Sequence, residues 1–315
     1  MTAWQALNPY LAGKYENLPK SRYISLFLMR TTRSEAIFRT EGSSEGCNKE
    51  IISGPDGKTV TKAVISKRKQ VAVERREGRQ ILRKFGLLSR NGDATCMLNT
   101  NNPCERCIDC MLYGFAVGTG GAQKSRVMSD DAFSILPFEE ISQKKTFNAL
   151  FENNTMRNPE TGEASHSIGQ DEYIVPGAHF LDIEVLRDVT EKEMIYVLGN
   201  IMRSKRYGAI TSRIGSVSNE IVAAIGSDAE LFSTLEWVTE TGSQLGKDHP
   251  LADDSVITAA LGAITPLLGN VCGKYYQLKE EELKGLTNEV KRIYSNDDEL
   301  EKMLKEITNN YPANE

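Results

Sequence analysis

Residues 23–29, Tyr-Ile-Ser-Leu-Phe-Leu-Met, form an almost unbroken apolar run, the pattern of a strand buried on both faces. It leads into Arg30-Thr31-Thr32-Arg33-Ser34, read as an exposed basic element, and a second short strand is expected over residues 36–39. Alternation returns at residues 179–185, where Leu181, Ile183 and Val185 share one face and Asp182 and Glu184 the other. Thr190-Glu191-Lys192-Glu193 is a capping box that opens a helix, with Met194, Val197, Leu198 and Ile201 at helical spacing as its buried face. A strand is expected to resume over residues 209–214. The last third reads as helical. Ser227-Asp228-Ala229-Glu230 is a second capping box, backed by Leu231, Leu235 and Val238. A small-residue helix over 254–272, interrupted at Pro266, precedes one over 280–294. Asn296 then opens a last helix with Leu300, Met303, Leu304 and Ile307 inward.

The middle of the chain is organised differently. Residues 42–57 are turn-rich, and residues 62–90 form a basic block whose second half is a helix carrying Ile81, Leu82 and Phe85 as a narrow apolar stripe. Residues 139–170 are polar and broken, which predicts a long excursion or hairpin. Two strand–helix halves separated by a large insertion fit an α+β fold of the split βαβ, ferredoxin-like type. The expected domains are a discontinuous core (1–45 and 171–226), an insertion (46–170) and a helical domain (227–315).

Hydrophobic content of 40% and charged content of 26% exclude a disordered or fibrous chain and fit a soluble globular protein. No stretch reaches the roughly 20 apolar residues of a membrane span, and the N-terminus has no signal-peptide pattern, so a cytoplasmic location is expected. The net charge of -5 hides an asymmetry. Residues 220–315 hold 8 Lys+Arg against 18 Asp+Glu, whereas residues 1–219 hold 30 against 25. A basic first part and an acidic last part point to a polyanionic partner for the former.

Cys96, Cys104, Cys107 and Cys110 carry the clearest chemistry. Their C-x7-C-x2-C-x2-C spacing lets four thiolates converge on one tetrahedral ion, with structural zinc as the simplest occupant. Cys47 and Cys272 stand apart as small apolar fillers. The basic block and the loop after the first strand favour a phosphate backbone, because each cation near a phosphate releases a condensed counterion. The candidate contacts are Arg30, Thr31, Arg33, Lys67, Arg68, Lys69, Arg75 and Arg76, joined later by Arg203, Lys205, Arg206 and Arg213. Tyr207 is placed either to stack on a base or to pack. His166, His179 and His249 are scattered, and the glycine-rich stretch at 118–125 lacks phosphate-loop spacing, so no catalytic constellation is expected.

These parts, in this order, resemble the crRNA-binding backbone subunit of CRISPR Cascade complexes, a Cas-seven-like member of the RAMP superfamily, with the type I-D form the nearest. The resemblance rests on the 23–29 strand with Arg30-Thr31-Thr32-Arg33-Ser34, the four-cysteine insertion, and residues 203–215. It implies an RRM-like core decorated by a zinc-binding subdomain, a thumb or lid hairpin and a helical domain. Copies would assemble head to tail along crRNA and present it to target DNA and possibly target RNA, beside large, small and guide 5-prime-end subunits. Arg30, Arg33, Lys67, Arg68, Arg203, Lys205 and Arg206 map to the backbone grip, and the thumb to 54–67 or 143–170. Type III relatives cut RNA with an aspartate after the first strand; here that region offers Glu35, Glu41 and Glu45, with no Asp before Asp56. A metal-dependent ribonuclease and a zinc-ribbon protein adaptor are the alternatives to a non-catalytic scaffold.

Overall fold

In the computed structural model, residues 2–39, 46–54, 57–88, 90–91, 94–98, 102–117, 121–165, 167–247 and 249–312 are described. A short helix α1 (Ala3–Leu7) precedes β1 (Tyr23–Thr32), and β2 (Lys49–Ser53) and β3 (Thr59–Ile65) lead into α2 (Lys67–Lys84). The cysteine region holds β4 (Arg90–Asn91), β5 (Ala94–Thr95), α3 (Ile108–Tyr113), β6 (Phe115–Val117) and β7 (Gly121–Gln123). Next come β8 (Val127–Ser129), β9 (Ala132–Ser134), α4 (Phe138–Ile141), β10 (Ser142–Asn148) and β11 (Ile168–Ile174). The chain then forms β12 (His179–Arg187), α5 (Glu191–Arg203), β13 (Val217–Ser227), α6 (Thr234–Ser243) and α7 (Asp253–Leu268). It finishes with β14 (Tyr275–Gln277), α8 (Glu280–Tyr294) and α9 (Asp297–Asn309).

The main sheet runs β14-β13-β1-β12-β9-β3-β2, with β8 also on β12. β1 lies antiparallel to both β12 and β13 and fills the gap between them. β12–α5–β13 is therefore a split βαβ unit. The fold is mixed α+β. Strands β3, β8 and β9, from the middle of the chain, extend this same sheet.

Apolar residues cover both faces. On one, Ile24, Leu26 and Leu28 pack with α5 and with Leu286, Val290, Leu300 and Leu304 of α8 and α9. On the other, Phe27 and Met29 meet Trp237, Val238, Val256 and Ala260 of α6 and α7. The helical last third is thus divided between two faces, because β1 is apolar on both. Gly199 permits part of this: a Cβ there would sit 1.9 Å from the Tyr294 ring, so α5 and α8 approach only without one.

Several local expectations change. Arg30-Thr31-Thr32 continue β1, paired with Phe180 and His179 of β12 and with Asn219, Ser218 and Val217 of β13, so they are core and not a loop. Residues 36–39 form no strand among the described residues, and Ala36 makes an isolated bridge with Ile174. Residues 209–214 are a turn with Ile210 at φ 54°, and the strand starts at Val217. Ser227 ends β13, and the capping box that opens α6 is Ser233 with Glu236. Pro266 sits within the last turns of α7 without ending it. The Thr190–Glu193 box and the Asn296 cap are present as read, and Asp182 and Glu184 lie opposite Leu181 and Ile183 on a face that α2 covers.

Candidate nucleic-acid interface and metal centre

Helix α2 organises both candidate sites. Its first free N–H, that of Lys67, donates to the Asp131 carboxylate at 2.6 Å, an anion at the positive end of the helix dipole. Gln70, Glu74, Gly78, Arg79, Ile81 and Leu82 face inward, and Arg68, Lys69, Arg76 and Arg83 face solvent.

The inward face closes over a buried ion cluster. Arg30, fully buried, pairs with Asp182, with Glu184 at 2.8 Å and with Glu74 at 3.0 Å. Lys67 Nζ lies 2.6 Å from Asp182 and 3.4 Å from Glu184. Gln70 donates to Asp182 at 3.0 Å, and Arg30 to Asn219 at 2.7 Å. Burial, with Glu184 alongside, pushes the Glu74 carboxyl up to about 8. Against burial, Arg30 and Lys67 hold Asp182 below the usual carboxylate range. Arg30 and Lys67 thus face Asp182 and Glu184, with the raised Glu74 carboxyl beside Arg30. Arg30, Thr31 and Lys67 are therefore committed to the core, and an RNA backbone cannot reach them. Tyr207 belongs here too: its hydroxyl reaches Glu74 and Arg30, each at 3.2 Å, so it packs and does not stack.

Outside, Arg68, Lys69 and Arg76 share a groove of about 350 Å³ with Arg39, Gly208 and Ala209. Two basic segments far apart in sequence meet there. Gly208, at φ +88°, allows this, since a Cβ would lie 2.4 Å from the Ile37 carbonyl. Lys69, Arg76, Lys205 and Arg213 are exposed and pair with no described acid. Arg206 is exposed and donates to the Ile214 carbonyl at 3.3 Å. Arg33 is tied to Asp253, which also binds His179 at 2.7 Å, and Arg203 is tied to Glu77 at 2.8 Å. Arg75 is half-buried and bidentate to Asp109, both bonds 2.9 Å, so it acts as a strut.

The four clustered cysteines are buried, with every Sγ within 4.8 Å of the others. Cys96–Cys110 is 3.6 Å, Cys104–Cys110 3.9 Å and Cys96–Cys107 4.0 Å. Those separations exceed a disulfide and match the edge of about 3.8 Å in a tetrahedron with 2.3 Å metal–sulfur bonds. The Cys104 and Cys107 amides donate to Cys96 and Cys104 sulfurs at 3.5 and 3.3 Å. Arg79 adds a positive group 3.7 Å from Cys96 Sγ and bonds Asp109 at 2.7 Å. The cluster fits a soft metal ion with all four positions taken by protein. Elsewhere, burial pushes the Cys47 thiol up to about 11, whereas Cys272 is exposed and fills no core.

A family model described as Csc2 CRISPR matches residues 10–304. The chain belongs to the Csc2 CRISPR family. No curated protein sequence matches it. Among solved structures, Csc2 of Thermofilum pendens is similar at 20% identity, with 98% of both chains covered and a TM-score of 0.61. A chain of a CRISPR RNA-guided surveillance complex in a pre-nicking state is similar at 9% identity, covering 82% of this chain and 92% of that one, with a TM-score of 0.51. Another surveillance-complex chain gives 8%, 87%, 98% and 0.51.

For this Csc2-family chain, sequence reasoning missed three structural contributors. Arg39 lines the groove and is tied to Asp171, and Asn219 and Asp109 anchor buried arginines. An acid inside the apolar α3 run was the available signal for Asp109. Glu35 is ion-paired with Lys145, while Glu41, Glu45, Asp56, Arg90's side chain and His166 lie outside the described residues. Among the described residues no helix is long and apolar enough to cross a membrane.

Proposed function

We propose that this Csc2-family chain is the repeated, non-catalytic crRNA-binding backbone subunit of a Cascade complex, of the type I-D form. Copies line up along the guide, beside large, small and guide 5-prime-end subunits, and present it to target DNA or RNA. Sequence specificity then rests on base pairing, and the protein supplies charge and shape. The family match across residues 10–304 carries this reading. Three features support it: the basic groove, a fold shared with chains of RNA-guided surveillance complexes, and the split βαβ unit, from which an RRM-like core is built. The guide backbone runs along Arg68, Lys69 and Arg76 and past Lys205, Arg206 and Arg213, with Arg33 and Arg203 released from their acids to join. Zinc at Cys96, Cys104, Cys107 and Cys110 braces α2 through Asp109 and Arg79.

The thumb is the β10–β11 hairpin, seven paired residues long on each strand. Its Phe147, Leu150 and Ile168 are 51%, 57% and 66% exposed, the kind of apolar edge that wedges between nucleotides. Charge reversal at Lys69, Arg76 and Arg213 tests the grip. Loss of three phosphate contacts reduces the salt slope for single-stranded RNA by about 2, at a slope of about 0.7 per contact. An unchanged affinity and slope across a salt titration defeats the assignment.

A further inference from the structure

One cation of the basic block takes no part in either candidate site. Lys62, on β3, is 7% exposed, and its ammonium donates to the Ile135 carbonyl alone among the described residues. An ammonium carries three N–H donors, and a buried charge without a counter-ion is expensive. Burial pushes this one down to about 8. By contrast, the buried Arg30, Lys67, Arg79 and Arg126 each face a carboxylate. Lys62 lines a groove of about 520 Å³ between the β2–β3 hairpin and the end of α6, a volume typical of small-molecule sites. Ile52, Val60, Leu136 and Val238 make its walls, and Lys58 and Lys247 stand at the rim.

We propose that this groove is a binding site for an aliphatic carboxylate, with the acid group on Lys62 and the hydrocarbon body along Ile52, Val60, Leu136 and Val238. A single buried positive charge with open donors matches a single negative charge, and a carboxylate accepts from several N–H groups at once. Among the described residues the lining has no aromatic ring on which a nucleobase would stack, which separates this groove from a nucleotide site. Lys247 at the rim adds positive charge that draws an anion inward. This inference is independent of the guide-RNA reading.

Calorimetric titration of octanoate into the full chain at pH 7 tests it, with octanol (same body, no charge) and acetate (charge, no body) as comparators. Octanoate is expected to bind at least about tenfold tighter than either, and Lys62→Met to weaken it by about tenfold or more. Octanoate should also shield Lys62 of the unaltered chain from reductive methylation, read by peptide mass spectrometry, so the test stands even where the variant folds poorly. Equal octanoate affinity in Lys62→Met overturns the proposal, as does absence of both heat and protection at roughly 5 mM ligand. Tighter binding of inorganic phosphate than of octanoate overturns it as well.

Discussion

Replacing Arg30 by alanine separates a buried strut from a surface grip. The change leaves Asp182 and Glu184 in a fully buried space with Lys67 as their only cation among the described residues. Breaking a buried ion pair by removing one partner destabilises by about 3–5 kcal/mol, chiefly because the remaining charge has no partner. At about 2–4 °C per kcal/mol for domains of 150–250 residues, the melting temperature should fall by roughly 10 °C. Lys69→Ala, at an exposed position in the first turn of α2, should change the stability by no more than about 0.5 kcal/mol. Thermal unfolding followed by circular dichroism measures both. RNA affinity, taken well below both midpoints, should change for the Lys69 variant and stay near wild type for Arg30→Ala. A thermally silent Arg30→Ala that nonetheless loses RNA refutes the burial argument.

Glu74→Gln should be tolerated and should flatten the pH dependence of stability. With its folded pKa raised to about 8, Glu74 favours the fold fully below its unfolded value near 4.5, and that contribution is lost as pH rises toward 8. Chemical unfolding at pH 5 and pH 8.5 checks this: the wild type should lose more stability between them than the variant, and equal losses count against a protonated Glu74. If the proposed zinc is held by the four cysteines, stripping metal with a chelator, or Cys107→Ser, should reduce bound metal from about one equivalent to near none and loosen α2 at the Asp109 contacts, read by metal analysis and amide exchange. Gly199→Ala should destabilise by about 1–3 kcal/mol as overpacking forces α8 off α5, with little change at the basic groove.

How much was legible follows from how far each signal reaches along the chain. The Thr190 capping box, the α8 and α9 stripes and the four-cysteine spacing are local, since the interacting groups lie within one or two turns. The hairpin around residues 142–174 was visible as a polar interruption for the same reason. Residues 209–214 misled because apolar and small residues there pack a turn through glycines at positive φ, a conformation that hydrophobic patterning does not encode.

Sequence alone determined the mixed α+β class, the strand at 179–187 with the helix after it, the clustered thiols and the basic character of the segment around α2. It could not separate Arg30 and Lys67 from Lys69 and Arg76, because all four are cations in polar-looking stretches. Only the tertiary structure decided which of them face acids and which face water: β12 delivers Asp182 and Glu184 beneath α2, more than a hundred residues away in the chain. A charge is buried or exposed according to what the fold places opposite it, and that partner is supplied by distant segments that no local pattern contains.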